Sequence, residues 1–366
     1  MTPPPIEDVR AAAYEIPTDA PESDGTLEWD STVLVVVEVD AGGQTGLGYT
    51  YAHAAAAHVV TGKLAGGVRG RDALDVRAAW AAMVHEVRNI GATGLVAMAI
   101  SAVDSALWDL KARLLGVPLV VALDAAHEVV PVYGSGGFTS YDDTRLADQL
   151  GGWAAQGIPR VKLKVGRDPQ RDHDRLRVAR KAVGDDTELF VDANGAFGVR
   201  DAVDWARVYR HDYGVRWFEE PVSSDDLAGL RRVRDRAPGG IEITAGEYAW
   251  TPWIAEAMLD AQAVDCMQVD VTRCLGITGF LDAAASCEAH QVDLSAHCAP
   301  QLSAHACAAV RRLRHLEYFH DHNRIESMLF DGVLAPEAGG VLRPDRERPG
   351  HGLVFKTADA ERFRVA

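Results

Sequence analysis

Four ionisable residues recur at almost constant intervals. Asp192 follows Lys164 by 28 residues, Glu219 follows Asp192 by 27, and Glu247 follows Glu219 by 28. Each stands at the end of a short β-rich run: RVKLKVG, ELFVDAN, VRWFEEP and IEITAGE. A helix-length amphipathic stretch separates each run from the next, which is the signature of a repeating βα unit. The same rhythm continues on both sides, through VVPVYGS before and VDCMQVD, VDLSAHC and RHLEYFH after. Eight such units predict an α/β fold, a parallel β/α barrel of the modified TIM type over residues 126–330. A doubly wound open sheet is the alternative. It wants a glycine-rich turn after its first strand, and GSGG at 134–137 does not fit G-x-G-x-x-G.

Residues 1–125 read differently. TVLVVVEVD (32–40) is a strand, and AGGQTGLGYTYA supplies turn glycines and a second strand, so a hairpin is expected. Two helices follow, around 74–90 and 95–115, the second closed by Gly116 with Pro118 just beyond. This predicts an α+β domain. The tail, 331–366, has little periodicity and is expected to return to it.

Composition narrows the partners. The 366 residues carry 53 acidic against 37 basic side chains, a net charge of -16. That argues against nucleic acid or an anionic membrane surface as the main partner. Five cysteines with no CxxC suggest neither a disulfide framework nor a zinc motif, and a reducing cytoplasm is expected. The N-terminus, MTPPPIEDVRAAAYEIP, lacks the basic start and apolar run of a signal peptide, and no apolar stretch is long enough to span a bilayer.

Every strand end from the second to the eighth offers an ionisable group: Lys162 and Lys164, Asp192, Glu219, Glu247, Asp270, His297 and Glu317. Any one acid after a strand is an ordinary helix cap or turn residue. The shared register is what sets these apart, because the C-terminal ends of barrel strands converge on one mouth. Three carboxylates there would repel one another unless a cation neutralised them. With no Cys or His interleaved, an all-oxygen site suits Mg²⁺. Lys162 and Lys164 alternate with apolar residues and so share one face of their strand. Side by side near a metal, their pKa values are expected to fall, making Lys164 a candidate general base. Lys162 would depress its partner and attract a substrate carboxylate. Asp270 could hold the Nδ1–H of His297 and orient it as a second base. Glu317 could be protonated and donate to a developing oxyanion.

These stretches resemble the enolase superfamily, and within it the mandelate racemase-like subgroup. The likeness rests on KLK (162–164), VDANGAF (191–197), FEEP (218–221), AGE (245–247), DVTRCLGITG (270–279), SAHC (295–298) and HLEYF (315–319), with ISAVDSALWDLKARLLGVPL (100–119) resembling a helix of that family's N-terminal capping domain. The resemblance implies that Asp192, Glu219 and Glu247 hold one Mg²⁺. It implies that Lys164 is one base and the His297–Asp270 dyad the other, with Glu317 the donor to the substrate carboxylate. The shared step is removal of the proton α to a carboxylate, giving an enediolate whose charge Mg²⁺ and Lys162 would stabilise.

In that family the capping domain supplies the specificity loops. Here those are PTDAPESDGTLEWDS (17–31), with Trp29, and the turn around Tyr49–His53, with Tyr51. Ser135 at the end of the first barrel strand and Asn194 after the third complete the candidate substrate contacts. The polar first loop suits a polyhydroxylated acid. The expectation is dehydration of an aldonic or aldaric acid to a 2-keto-3-deoxy acid, with a small carboxylate as partner and a homo-oligomeric assembly. A racemase, an epimerase or a sugar-lactone cycloisomerase is the alternative, and a non-catalytic sugar-acid-binding barrel is a different-class one. Cys274 and Cys298 flank the dyad and are read as packing residues. His320 and His322, in FHDHN, are read as rim or supporting residues, and HAAAAH (53–58) as surface helix, its histidines being off the i, i+4 spacing.

Overall fold

Eight parallel strands close on themselves. The computed structural model describes residues 3–366. The barrel strands are β4 (Val130–Gly136), β5 (Arg160–Lys164), β6 (Glu188–Asp192), β7 (Trp217–Glu219), β8 (Glu242–Ala245), β9 (Cys266–Val269), β10 (Asp293–Ala296) and β11 (Leu313–Phe319). They pair in sequence order, and β11 pairs back onto β4. All eight expected runs form these strands, and the open-sheet alternative falls with the closure. A ninth, short segment, Val341–Leu342, joins β4 antiparallel.

Register places the chemistry. Lys164 is the partner of Asp192 across β5–β6, and Asp192 is the partner of Glu219 across β6–β7. Lys162 faces Ser135 across β4–β5. Because strand side chains alternate, apolar Val161 and Leu163 pack outward under helices, and both lysines point into the barrel.

The N-terminal layer is a three-stranded antiparallel sheet in the order β1 (Asp8–Ser23), β2 (Glu28–Ala41) and β3 (Gln44–Tyr51). The expected hairpin is β2–β3. The first strand, β1, was not anticipated. Much of the expected 17–31 loop is therefore the extension of a long β1–β2 hairpin. Proline is tolerated in β1 because it is an edge strand, and the register shifts between Pro17 and Glu22. Helices α1 (Val76–Glu86) and α2 (Leu95–Leu115) follow, and Gly116 ends α2 in the left-handed conformation at φ +68. Gly46 and Gly48 let β3 lie directly on α2. A Cβ at Gly48 would stand 2.2 Å from the Ala102 carbonyl oxygen.

Buried polar links fix this layer over the barrel, and the C-terminal segment is bonded to it in turn. Tyr49 donates to Glu326 Oε1 at 2.7 Å. Trp108 Nε1 donates to Thr278 Oγ1 at 2.9 Å, and that hydroxyl donates to Asp104 Oδ1 at 2.7 Å, so α2 grips the first turns of the helix Gly276–Ala289. His351 Nε2 bonds the Leu47 carbonyl at 2.8 Å, and Val365 N donates to the Ala13 carbonyl at 2.9 Å. Among the described residues no helix is long and apolar enough to cross a membrane.

Thr278→Val would orphan a buried indole N–H and half of a buried carboxylate. Urea denaturation should show a loss of about 2–4 kcal/mol, and an unchanged midpoint would refute the linkage. Burial raises Asp104 from 3.8 to about 7. The folded protein therefore holds this proton more tightly than the unfolded chain, and the stability it adds is full below about pH 4 and lost as pH rises through 7. In Asp104→Asn the fall in stability between pH 5 and 8 should be smaller than in the parent protein.

Candidate active site

The mouth of the barrel gathers Asp192, Glu219 and Glu247, all buried. One carboxylate oxygen from each lies within 4.8 Å of the others. Oxygens opposed across a Mg²⁺ at about 2.1 Å stand about 4 Å apart, so this donor set fits a hard divalent cation. Glu247 reaches the group because Gly246, at φ +131, turns the chain where a Cβ would strike the Gln268 carbonyl oxygen at 2.1 Å. Burial and the neighbouring Asp192 push Glu219 up, while Lys162 pulls against them. Burial also works against ionised Glu247, but His297 and Arg273 hold it well below the usual carboxylate range.

Lys162 Nζ is completely buried, 2.7 Å from both oxygens of Glu219, 2.8 Å from Glu317 Oε1 and 3.6 Å from Asp192 Oδ2. Lys164 Nζ lies 2.5 Å from Asp192 Oδ2. The expected drop in the lysine pKa values is not what this arrangement gives. Burial disfavours both ammonium groups, yet Glu219 and Glu317 around Lys162, and Asp192 beside Lys164, raise them above the ordinary value. Carboxylates within 3 Å outweigh the mutual repulsion of two lysines. A cation sharing those carboxylates would offset their pull.

The dyad forms as expected. His297 Nδ1 is 2.7 Å from Asp270 Oδ2. Asp270 Oδ1 accepts from both the backbone N–H and the hydroxyl of Thr272 at 2.7 Å. That bond assigns the proton on Nδ1 and turns Nε2 toward the mouth, 3.3 Å from Glu247 Oε2 and 3.4 Å from Glu317 Oε2. Burial works against the imidazolium, but the carboxylates of Glu247, Glu317 and Asp270 hold it well above its ordinary value.

Glu317 departs from expectation. Its Oε1 accepts from Ser135 Oγ at 2.5 Å and faces Lys162 at 2.8 Å. Burial alone would raise it, but Lys162 and His297 pull it well below the usual range. In this arrangement its oxygens face donors, Ser135, Lys162 and the backbone N–H of Cys298, rather than offering a proton to the cavity. Ser135 lies beneath it, fully buried and away from the cavity wall.

A cavity of about 390 Å³ opens above these groups. Lys164, Glu247, His297 and Asn194 form its floor. Trp29 and Tyr51 line it as expected, joined by Asp24 and Leu27 from the tip of the β1–β2 hairpin. Lys162 and Asp270 support the floor from below and do not line it. His322 stacks on Tyr51, ring centroids 3.4 Å apart, and His320 sits at the rim beside Asp19. Cys274 is buried packing, but Cys298 is not. Its sulfur is 3.3 Å from both His297 Nε2 and Glu317 Oε2, and it lines the cavity. Burial raises its thiol, so it is a neutral neighbour and not a nucleophile. His53 and His58 are exposed, and His53 reaches the cavity edge.

Two further residues belong to the site. Arg273 Nη1 bonds Glu247 Oε1 at 3.1 Å, and its Nε lies 3.4 Å from Asp270 Oδ2. The arginine of DVTRC, three residues after the strand-end acid, was the available signal. Glu220 is buried at φ +40, with Oε1 unpartnered, and burial and then Glu247 raise it well above the carboxylate range. In FEEP both acids were visible, but only the structure turns the second one inward.

The chain matches the family described as mandelate racemase/muconate lactonizing enzyme, N-terminal domain, over residues 15–123, and the enolase C-terminal domain-like family over 145–360. A 3,6-anhydro-α-L-galactonate cycloisomerase of Streptomyces coelicolor is 35% identical over 96% of this chain and 97% of its own. A mandelate racemase/muconate lactonizing enzyme-like protein from Rubrobacter xylanophilus superposes with a TM-score of 0.97 at 56% identity, covering 99% of this chain and 100% of that one. The L-talarate dehydratase of Polaromonas sp. JS666, solved with Mg and L-glucarate, gives 0.89 at 27% identity over 99% and 98%. The chain belongs to the enolase superfamily, in its mandelate racemase/muconate lactonizing enzyme group.

Proposed function

We propose that this protein is a Mg²⁺-dependent enzyme that removes the proton α to the carboxylate of a sugar acid and expels the oxygen on the neighbouring carbon. The observation that carries the reading is that Lys164 and His297 open on the same cavity beside three convergent carboxylates. Bound Mg²⁺ would supply Lewis-acid stabilisation for charge gathering on the substrate carboxylate. Lys164, in its neutral form, takes the proton from C2. The C2–H pair then forms the C2–C3 double bond as the C3–O bond breaks. His297 Nε2–H protonates the leaving oxygen, a role that suits an imidazole held in its protonated form by Asp270. The enol tautomerises to a 2-keto-3-deoxy acid. Lys162, fixed between Glu219 and Glu317, holds positive charge beneath the reacting carboxylate.

When the leaving oxygen is a hydroxyl, the reaction is dehydration of an aldonic or aldaric acid. When it belongs to a ring, the same elimination is a cycloisomerisation, a second reading favoured by the 35% identical relative that is named for that reaction. On this reading residues 1–125 form a capping domain, 126–330 the catalytic barrel and 331–366 a segment completing the cap. The five free, buried cysteines fit a reducing cytoplasm.

A panel of sugar acids incubated with Mg²⁺-loaded protein in D₂O tests this. One acid should give a 2-keto product, lighter by one water for dehydration and of unchanged composition for ring opening, apart from the deuterium taken up at C3. Lys164→Ala and His297→Asn should each lower turnover by about 10²–10⁴-fold while remaining folded. Neither keto product nor α-proton exchange with any acid would refute the reading. EDTA should abolish turnover and added Mg²⁺ restore it. In Glu219→Gln added Mg²⁺ should fail to do so, and turnover that survives EDTA would remove the metal from the account.

A further inference from the structure

A second group of ligating side chains lies outside the catalytic mouth. The register shift in β1 between Pro17 and Glu22 turns Asp19 and Glu22 toward the end of β11. One carboxylate oxygen of Asp19, one of Glu22 and a ring nitrogen of His320 all lie within 4.8 Å of one another. Asp19 is exposed and His320 part-exposed, and His320 Nε2 is 3.2 Å from Asp19 Oδ2. Glu22 is different. It is fully buried, its Oε2 accepts from Trp29 Nε1 at 2.9 Å, and its Oε1 has no partner. An unpartnered, fully buried carboxylate oxygen is costly to maintain and calls for a ligand.

The surroundings are not cation-rich enough to supply one. Arg145 Nη2 binds the other oxygen of Asp19 at 2.9 Å, and Arg324 is held by Asp321 Oδ1 at 2.6 Å. Neither arginine bonds Glu22. Burial and then Asp321 raise Glu22 to about 8, so its proton is available for exchange against a metal ion.

We propose that Asp19, Glu22 and His320 form a binding site for a first-row divalent cation of the Zn²⁺ type. One imidazole and two carboxylates, with open positions for water, are a donor set such an ion accepts. The hard Mg²⁺ of an all-oxygen site has less use for the imidazole. Two of the ligands stand on the β1–β2 hairpin and the third at the junction of β11 with the following helix. The ion therefore staples the hairpin, whose tip walls the cavity, to the barrel rim. On binding, Glu22 releases its proton to solvent, and the bound ion takes the place of that positive charge.

The test titrates Zn²⁺ into the full-length protein by calorimetry, with Mg²⁺ kept saturating so that the three-carboxylate site is filled. One Zn²⁺ per chain is expected. Glu22→Gln keeps the shape and the Trp29 contact, and His320→Gln changes a part-exposed side chain. Each should weaken binding beyond the about 10- to 100-fold seen on losing an outer partner of a metal site. Zn²⁺ should also slow amide exchange across residues 17–31 in the parent protein and not in the variants. Unchanged affinity in both variants would put the ion elsewhere, at Glu256, Asp260 and His290 or at His297, Cys298 and Glu317, and would overturn the proposal. So would the absence of any bound Zn²⁺. None of these readouts depends on turnover, so failure of the sugar-acid reading leaves them intact, and the reverse also holds.

Discussion

Lys162 is the charge on which the interior of this barrel depends. Its ammonium lies within 3 Å of Glu219 and Glu317, with no solvent contact for any of the three. Removing charges from water costs several kcal/mol per ion unless each finds a partner. Here one cation bridges carboxylates on strands on opposite sides of β5, and Ser135 and the backbone N–H of Cys298 complete Glu317. The bridge fixes two acids by one buried pivot, and the reactive groups above it inherit their positions. Removing Lys162 would leave two buried carboxylates facing each other, a far larger cost than the loss of one contact.

The same arithmetic explains why the mouth asks for a cation. Glu219 and Glu220 are pushed up by burial and by neighbouring acids, whereas Glu247 and Glu317 are pulled down by His297 and nearby cations. The positive charge at hand, on Lys162, Lys164, His297 and Arg273, thus falls short of neutralising the acids, and the shortfall shows at Glu219 and Glu220. A divalent ion placed among the three carboxylates would even out this field. It would also loosen the hold of Asp192 on Lys164, a condition for that lysine to lose its proton.

Much of this was readable in the sequence because the barrel repeats. One strand end per unit, spaced by 27 or 28 residues, places Lys164, Asp192, Glu219 and Glu247 side by side without any knowledge of packing. The His297–Asp270 pair followed from the same register. What failed depended on distances. The two lysines look like mutually repelling cations in a string of letters, but in space each is closer to a carboxylate than sequence alone can indicate. Glu317 was legible as a strand-end acid, but not that Lys162 stands 2.8 Å from it. The missed strand β1 has a different cause. Its two prolines and acidic stretch carry every local mark of a loop, and only its place at a sheet edge makes them compatible with pairing.

Backbone strain marks the mouth independently of any motif. Non-glycine residues with positive φ include Asn194, Glu220, Leu275, Cys298 and Ala299, all in the turns that follow barrel strands β6, β7, β9 and β10. Each such residue costs on the order of 1–3 kcal/mol and persists only where its surroundings impose it. The constraints are visible: Gly195 N donates to the Glu220 carbonyl at 2.8 Å, and Asn194 N donates to Asp192 Oδ1 at 2.9 Å. The first ties the turn after β6 to the turn after β7, and the second closes the β6 turn on its own strand end. Strain of this kind re-aims side chains that a relaxed strand end would send to solvent, and at Glu220 and Cys298 it delivers an acid and a thiol into the site. Stability given up in the turns is thereby converted into a fixed arrangement of groups at the end of the barrel where three carboxylates, a lysine and a histidine meet.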